Sequence, residues 1–152
     1  MPCRDTCAAV SEVAVSFLGM TDPQPERTID AHFEITAWDE DVYDDPDEGP
    51  TLTRISIRKR YHGVIEGSGV VEVLTARGGA GAGYVASERI DGALGGRRGT
   101  FVIQHAGLAE GTRQSSYGAI VPASGTGELT GISGRATEAQ QEVLTLAYTL
   151  CQ

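Results

Sequence analysis

The sequence predicts an all-β domain, an eight-stranded antiparallel β-barrel carrying a short N-terminal extension. Three observations lead there. Apolar and β-branched runs recur about every 12–15 residues from Ile29 onward. Clusters of Gly, Asp and Pro separate the runs, which is the punctuation of turns rather than of helices. Within the runs, side chains alternate with the period of two that a half-buried strand requires. A closed barrel is preferred to a sandwich because closure removes exposed strand edges.

The elements follow in order. Residues 1–29 form the extension, ending in the linker-like stretch Thr21-Asp-Pro-Gln-Pro-Glu-Arg-Thr. Ahead of it, Ala8 to Leu18 fits a short helix or an edge strand, so the segment reads as a tail, an oligomer arm or a lid over a pocket. The barrel is assigned to 30–152, with strands expected near 30–39, 51–62, 68–76, 83–91, 99–106, 115–122, 126–133 and 143–150. Gly92, Gly95, Gly96 and Gly99 read as the turn between the fourth and fifth strands, and Ser124-Gly-Thr-Gly as a hairpin turn. Thr137 and Gln140 have capping-box spacing, which allows a helix toward Tyr148. Strict alternation of Leu144, Leu146, Tyr148 and Leu150 with Thr145, Ala147 and Thr149 favours a strand instead.

Length and charge bound the function. A chain of 152 residues is one domain, large enough to bury roughly 68–70% of its unfolded surface. A net charge of −9, from 21 acidic and 12 basic residues, disfavours nucleic acid and anionic membranes as partners. No apolar run reaches the length of a transmembrane helix, and Met1 to Met20 only superficially resembles a signal peptide, being interrupted by Asp5 and Glu12. Cys3, Cys7 and Cys151 are an odd count with no internal framework. That count suits a reducing cytosol, Cys3 and Cys7 read as incidental thiols, and the expected location is cytoplasmic.

Motifs for cofactor chemistry are missing from the sequence. Lys59 is the single lysine and follows no Gly-rich loop, so a Walker phosphate loop is excluded. No βαβ pattern supports a nicotinamide fold, and Gly-x-Ser-x-Gly is absent. His32, His62 and His105 lie on three different strands without metal-ligand spacing. The acidic run from Asp39 to Glu48 lacks the spacing of a calcium loop. It reads as a solvated loop that partly offsets Arg54, Arg58 and Arg60, which alternation places on an outward face. No cofactor and no metal are expected.

Several stretches resemble an uncharacterised bacterial domain-of-unknown-function family with an allene-oxide-cyclase-like barrel. They are Phe33-Glu-Ile with Trp38-Asp-Glu, Leu52-Thr-Arg, Ile65-Glu-Gly, and the long run Glu88-Arg-Ile-Asp-Gly-Ala-Leu-Gly-Gly-Arg-Arg-Gly-Thr-Phe-Val-Ile-Gln-His-Ala-Gly. Ser124-Gly-Thr-Gly-Glu-Leu-Thr-Gly follows it. The resemblance covers Ala31 to Leu150 and implies an eight-stranded barrel. It implies no established activity and no catalytic residues.

Lys59, Tyr61, Glu88, His105 and Tyr148 are polar residues in strand phases that otherwise look interior. Buried ionisable groups cost several kcal/mol each unless paired, so this set is either an internal salt-bridged network or a site. Lys59 is long enough to snorkel out of a barrel end. The site expected on this reading has Glu88 as acid or base, His105 as proton shuttle or charge stabiliser, and Tyr148 as donor to a developing oxyanion. An apolar surround would lower the histidine's pKa and raise the carboxylate's. Trp38, Tyr61, Tyr84, Phe101 and Ile103 would line the ligand pocket. By analogy with allene oxide cyclases and polyketide cyclases, the expected function is binding of a small apolar organic molecule, with cofactor-independent cyclisation or isomerisation. The alternatives are a non-catalytic carrier or sensor, and a filled barrel acting through its surface in a homo-oligomer.

Overall fold

The computed structural model describes residues 24–151, so the expectations for the extension before Gln24 lie outside the described residues. Eight antiparallel strands form one closed barrel in sequence order. They are β1 (Arg27–Asp44), β2 (Thr51–His62), β3 (Ile65–Arg77) and β4 (Gly81–Leu94), then β5 (Arg97–Glu110), β6 (Arg113–Ile120), β7 (Ser133–Gln140) and β8 (Val143–Thr149). β8 pairs with β1 from Arg27↔Tyr148 to His32↔Val143 and closes the ring. The seam between β6 and β7 is the thinnest, with the single register pair Ala119↔Arg135. Among the described residues no helix is long and apolar enough to cross a membrane.

Alternation sorts the faces as the sequence indicates. Arg54, Arg58 and Arg60 are outside, while Ile55, Ile57, Lys59 and Tyr61 are inside. Asp41 lies opposite Arg54 in the ladder, but among the described residues no ion pair joins the acidic run to those arginines. Arg54 pairs with Glu72 and Arg60 with Glu34, while Glu40 reaches Arg77 at 3.0 Å. The reason is that β1 continues to Asp44 as a strand, so its acids alternate between faces instead of forming a loose loop.

The seventh strand lies at Ser133–Gln140, not at 126–133. Residues 121–132 instead close one end of the barrel, with a 3₁₀ turn at Gly127–Leu129. β6 ends at Ile120, which leaves the start of β5 without a strand partner on that side. Thr126 and Ser124 supply it: their side-chain oxygens accept from Thr100 N at 2.9 Å and Val102 N at 3.0 Å. Leu129 and Ile132, which look like strand residues in sequence, plug the end of the core. Ser124-Gly-Thr-Gly is therefore an edge clamp, not a hairpin turn. In the glycine-rich turn only Gly95 and Gly96 occupy the corner, at φ +56° and +84°. Gly92 and Gly99 face each other within the β4–β5 ladder.

Cys151 is buried and disulfide-bonded. That overturns the reading of this cysteine as a reduced thiol and removes the cysteine argument for a cytosolic location.

The interior is divided along the barrel axis. One end is packed solid by a cluster that includes Ile65, Ile90, Phe101, Ile103, Leu144, Leu146 and Tyr148. A smaller cluster of Ile55, Ile57, Val71, Val73 and Ala86, with Tyr84 against it, lines the wall toward the other end. Polar side chains lie between the two.

Candidate functional site

The dividing layer is built around Lys59. Its ammonium donates to Glu88 Oε1 at 2.9 Å and to Glu138 Oε1 at 2.6 Å. The Lys59 side chain is 4% exposed and that of Glu88 is 1% exposed, whereas Glu138 is 26% exposed. Tyr61 Oη donates to the other oxygen of Glu88 at 2.6 Å. The ring of Phe33 lies 4.0 Å from the lysine nitrogen, a cation–π contact that also excludes water. Lys59 therefore does not snorkel out of the barrel. It points inward because both carboxylates and an aromatic face await it there.

Local sequence makes this geometry possible. Gly69 faces the carboxylate of Glu88, and any Cβ at that position would collide with it. In the same way Gly107 leaves room for the ring of Tyr84. A register shift in β1 between Ile35 and Ala37 changes which residues face inward. Phe33 opposes Tyr61, and beyond the shift Trp38 opposes Ile57, so Trp38 joins the interior wall. Simple alternation from Phe33 would have put it outside.

Above this floor the barrel is open in two lobes that meet at Val73, Tyr84 and Glu138. One, of about 380 Å³, is lined by Phe33, Trp38, Ile55, Ile57, Lys59 and His105, among others. The second, of about 620 Å³, runs along β3 to β6 past Thr75, Arg77, Gln114 and Ser116. Thr53 and Thr75 are buried near the mouth and hydrogen-bond each other.

His105 stands where the floor meets the cavity. Its Nδ1 is 3.3 Å from Tyr84 Oη, and the two rings meet edge to face with centroids 5.5 Å apart. Its Nε2 is buried and has no partner among the described residues. Burial holds His105 below the usual histidine range; Lys59 pushes the same way, while Glu138 and Glu88 oppose. Burial raises the Tyr84 phenol, and Glu138 adds to the shift. Burial also pushes Tyr61 far up, reinforced by Glu88. Both phenols stay protonated donors at neutral pH.

A stability test follows from the histidine. Its folded pKa is depressed, so as pH falls below 6.5 the unfolded chain takes up a proton that the folded chain refuses. The sign is a loss of stability on acidification across that window. His105→Asn should flatten this part of the curve of unfolding free energy against pH. An unchanged slope would show that His105 titrates as an ordinary surface histidine.

Of the residues expected from sequence, Glu88 and His105 are brought together. With Glu138, one ligand atom from each lies within 4.8 Å of the others. A divalent ion held there would have to displace the Lys59 ammonium from between two carboxylates. Trp38 and Tyr84 line the cavity, and Tyr61 sits in the floor. Phe101 and Ile103 are packed into the solid end, and so is Tyr148. They support the floor from below. Sequence reasoning undervalued Lys59 and missed Glu138. Glu138 lies in the segment whose strand register was misplaced, so its inward direction had no visible phase.

Fold and site together define a half-filled antiparallel barrel with an apolar, open end and an ionic floor. Residues 29–150 match the family described as "Protein of unknown function (DUF3224)", and the chain belongs to that family. A crystal structure of a DUF3224 protein of unknown function from Shewanella oneidensis MR-1 is similar, with 29% identity and a TM-score of 0.71. The match covers 84% of this chain and 97% of that one. Among curated proteins none matches the sequence.

Proposed function

We propose that the open half of the barrel binds a small, largely apolar molecule and moves a proton on it, an isomerisation or ring closure that needs no cofactor. The observation that carries this reading is His105 on the wall of an apolar cavity, its buried Nε2 without a hydrogen-bond partner among the described residues. A pocket of a few hundred Å³ with a few convergent polar groups is the usual form of a small-molecule site. A filled barrel acting only through its surface fits poorly with that open space.

In this reading the depressed pKa keeps His105 neutral and able to accept a proton. Tyr84, at Nδ1, fixes the orientation of the ring. Nε2 takes a proton from one carbon of the ligand and returns it to another, so the product is an isomer. Lys59 is committed to Glu88 and Glu138, so the Tyr84 hydroxyl is the donor to negative charge developing on the ligand. Glu88 is bonded on both oxygens, so its part is to hold Lys59 and Tyr61. The donor role expected of Tyr148 passes to Tyr84.

The test is deuterium incorporation. Protein carrying its co-purified ligand is incubated in D₂O, and the ligand is then extracted and weighed by mass spectrometry. Incorporation by the wild type that His105→Asn reduces by at least about 100-fold, the usual scale of general acid–base catalysis, supports proton transfer. A ligand returned without deuterium makes the protein a carrier. Outside the barrel, Leu74, Val85, Ala106 and Tyr117 are successive register partners across four strands. All but Ala106 are strongly exposed. That apolar row is the surface a homo-oligomer would use.

A further inference from the structure

We infer that the ligand of this cavity is an organic cation, a protonated amine on an apolar body, and not a carboxylic acid. The inference rests on the reading of the open half as a binding cavity and adds the chemical class of its occupant.

The argument is a charge count over the two lobes. Their basic side chains are Lys59, Arg77 and the neutral His105. Lys59 is held by two carboxylates, Glu88 and Glu138. Arg77 is held by Glu40 at 3.0 Å. Neither has an uncommitted positive charge to offer an anionic ligand. With His105 neutral, one lysine faces two glutamates in the floor, which leaves an excess negative charge there.

Glu138 is where that charge is accessible. It lines both lobes, and Lys59 takes only one of its oxygens. A carboxylate offers about four acceptor sites, so an ammonium group can add to it without breaking the lysine contact. The unpartnered Nε2 of His105 supplies a second acceptor when Nδ1 carries the ring proton. Trp38, half exposed on the wall, offers an aromatic face to a cation. Glu142 also lines the smaller lobe. A low-dielectric cleft rimmed by one sign of charge concentrates ligands of the opposite sign.

The experiment compares three ligands that share one apolar body: phenylbutylamine, phenylbutanol and phenylbutanoate. Trp38 is the only tryptophan in the chain, so its fluorescence reports occupancy of the wall directly. The amine should bind about tenfold tighter than the alcohol, a difference in the range of a desolvated charge pair. The carboxylate should bind weakest. Glu138→Gln should bring the amine-to-alcohol ratio close to one. Glu142→Gln, an exposed position that leaves the buried network alone, should reduce the ratio by about twofold. Carboxylate binding equal to or tighter than the amine overturns the inference, and so does a ratio that survives Glu138→Gln. If the alcohol binds without any preference by charge, the cavity reading stands and only the charge assignment falls. If none of the three binds, both fall.

Discussion

Lys59→Met is expected to destabilise the protein by about 3–5 kcal/mol, the cost of removing one partner from a buried ion pair. The substitution keeps the length and apolar stem of the side chain, so little packing is lost. What remains is Glu88, 1% exposed, with only the Tyr61 hydroxyl facing it. Glu88→Gln in the same chain removes the stranded charge and keeps an acceptor for Tyr61. The pair should couple by about 2 kcal/mol in a double-mutant cycle, as groups in one network do. Urea unfolding of the four proteins measures both quantities. A single-mutant cost under about 1 kcal/mol, typical of exposed pairs, would mean that the floor is open to water.

Gly69→Ala is expected to cost nearly as much, although it adds one methyl group. Its new Cβ would overlap the Glu88 carboxylate, and the Tyr61 ring is the next neighbour at 3.1 Å. Overpacking of a tight interior costs about 1–3 kcal/mol. Pushing Glu88 away from Tyr61 leaves a buried donor unsatisfied, for about another 1–3 kcal/mol. Gly79→Ala is the control, because nothing lies within 4 Å of a Cβ there. It should stay within about 0.5 kcal/mol of wild type. Equal effects at the two positions would show that Glu88 can move aside.

The barrel was legible in the sequence because closure is written in short-range signals. Alternation on β2 and the Gly95-Gly96 corner are properties of a few neighbouring residues, and both hold in the structure. The misplaced β7 had no such signal. Leu129 and Ile132 serve as an end plug, and the segment that does pair, Ser133–Gln140, carries small and polar residues with weak alternation. Glu88 and His105 were legible through phase alone, as polar residues in apolar company. Glu138 was not, and neither was the inward turn of Lys59. Both depend on strands far apart in sequence, joined at a separation of 79 residues. Trp38 was placed on the wall from its chemistry, and the shift after Ile35 that puts it there has no marker in β1.

The division of the interior has a consequence for how sequences of this fold can drift. Below the floor, a residue such as Leu146 is fully enclosed, and truncating it leaves a void costing about 2–5 kcal/mol. Above it, Ile55, Ile57, Val71 and Val73 already border open space. A smaller side chain there widens an existing chamber and does not create a new hole. Changes of wall shape are therefore cheap, while the foundation that fixes strand order is expensive to alter. One scaffold can in this way fit different guests with the same ionic layer beneath them.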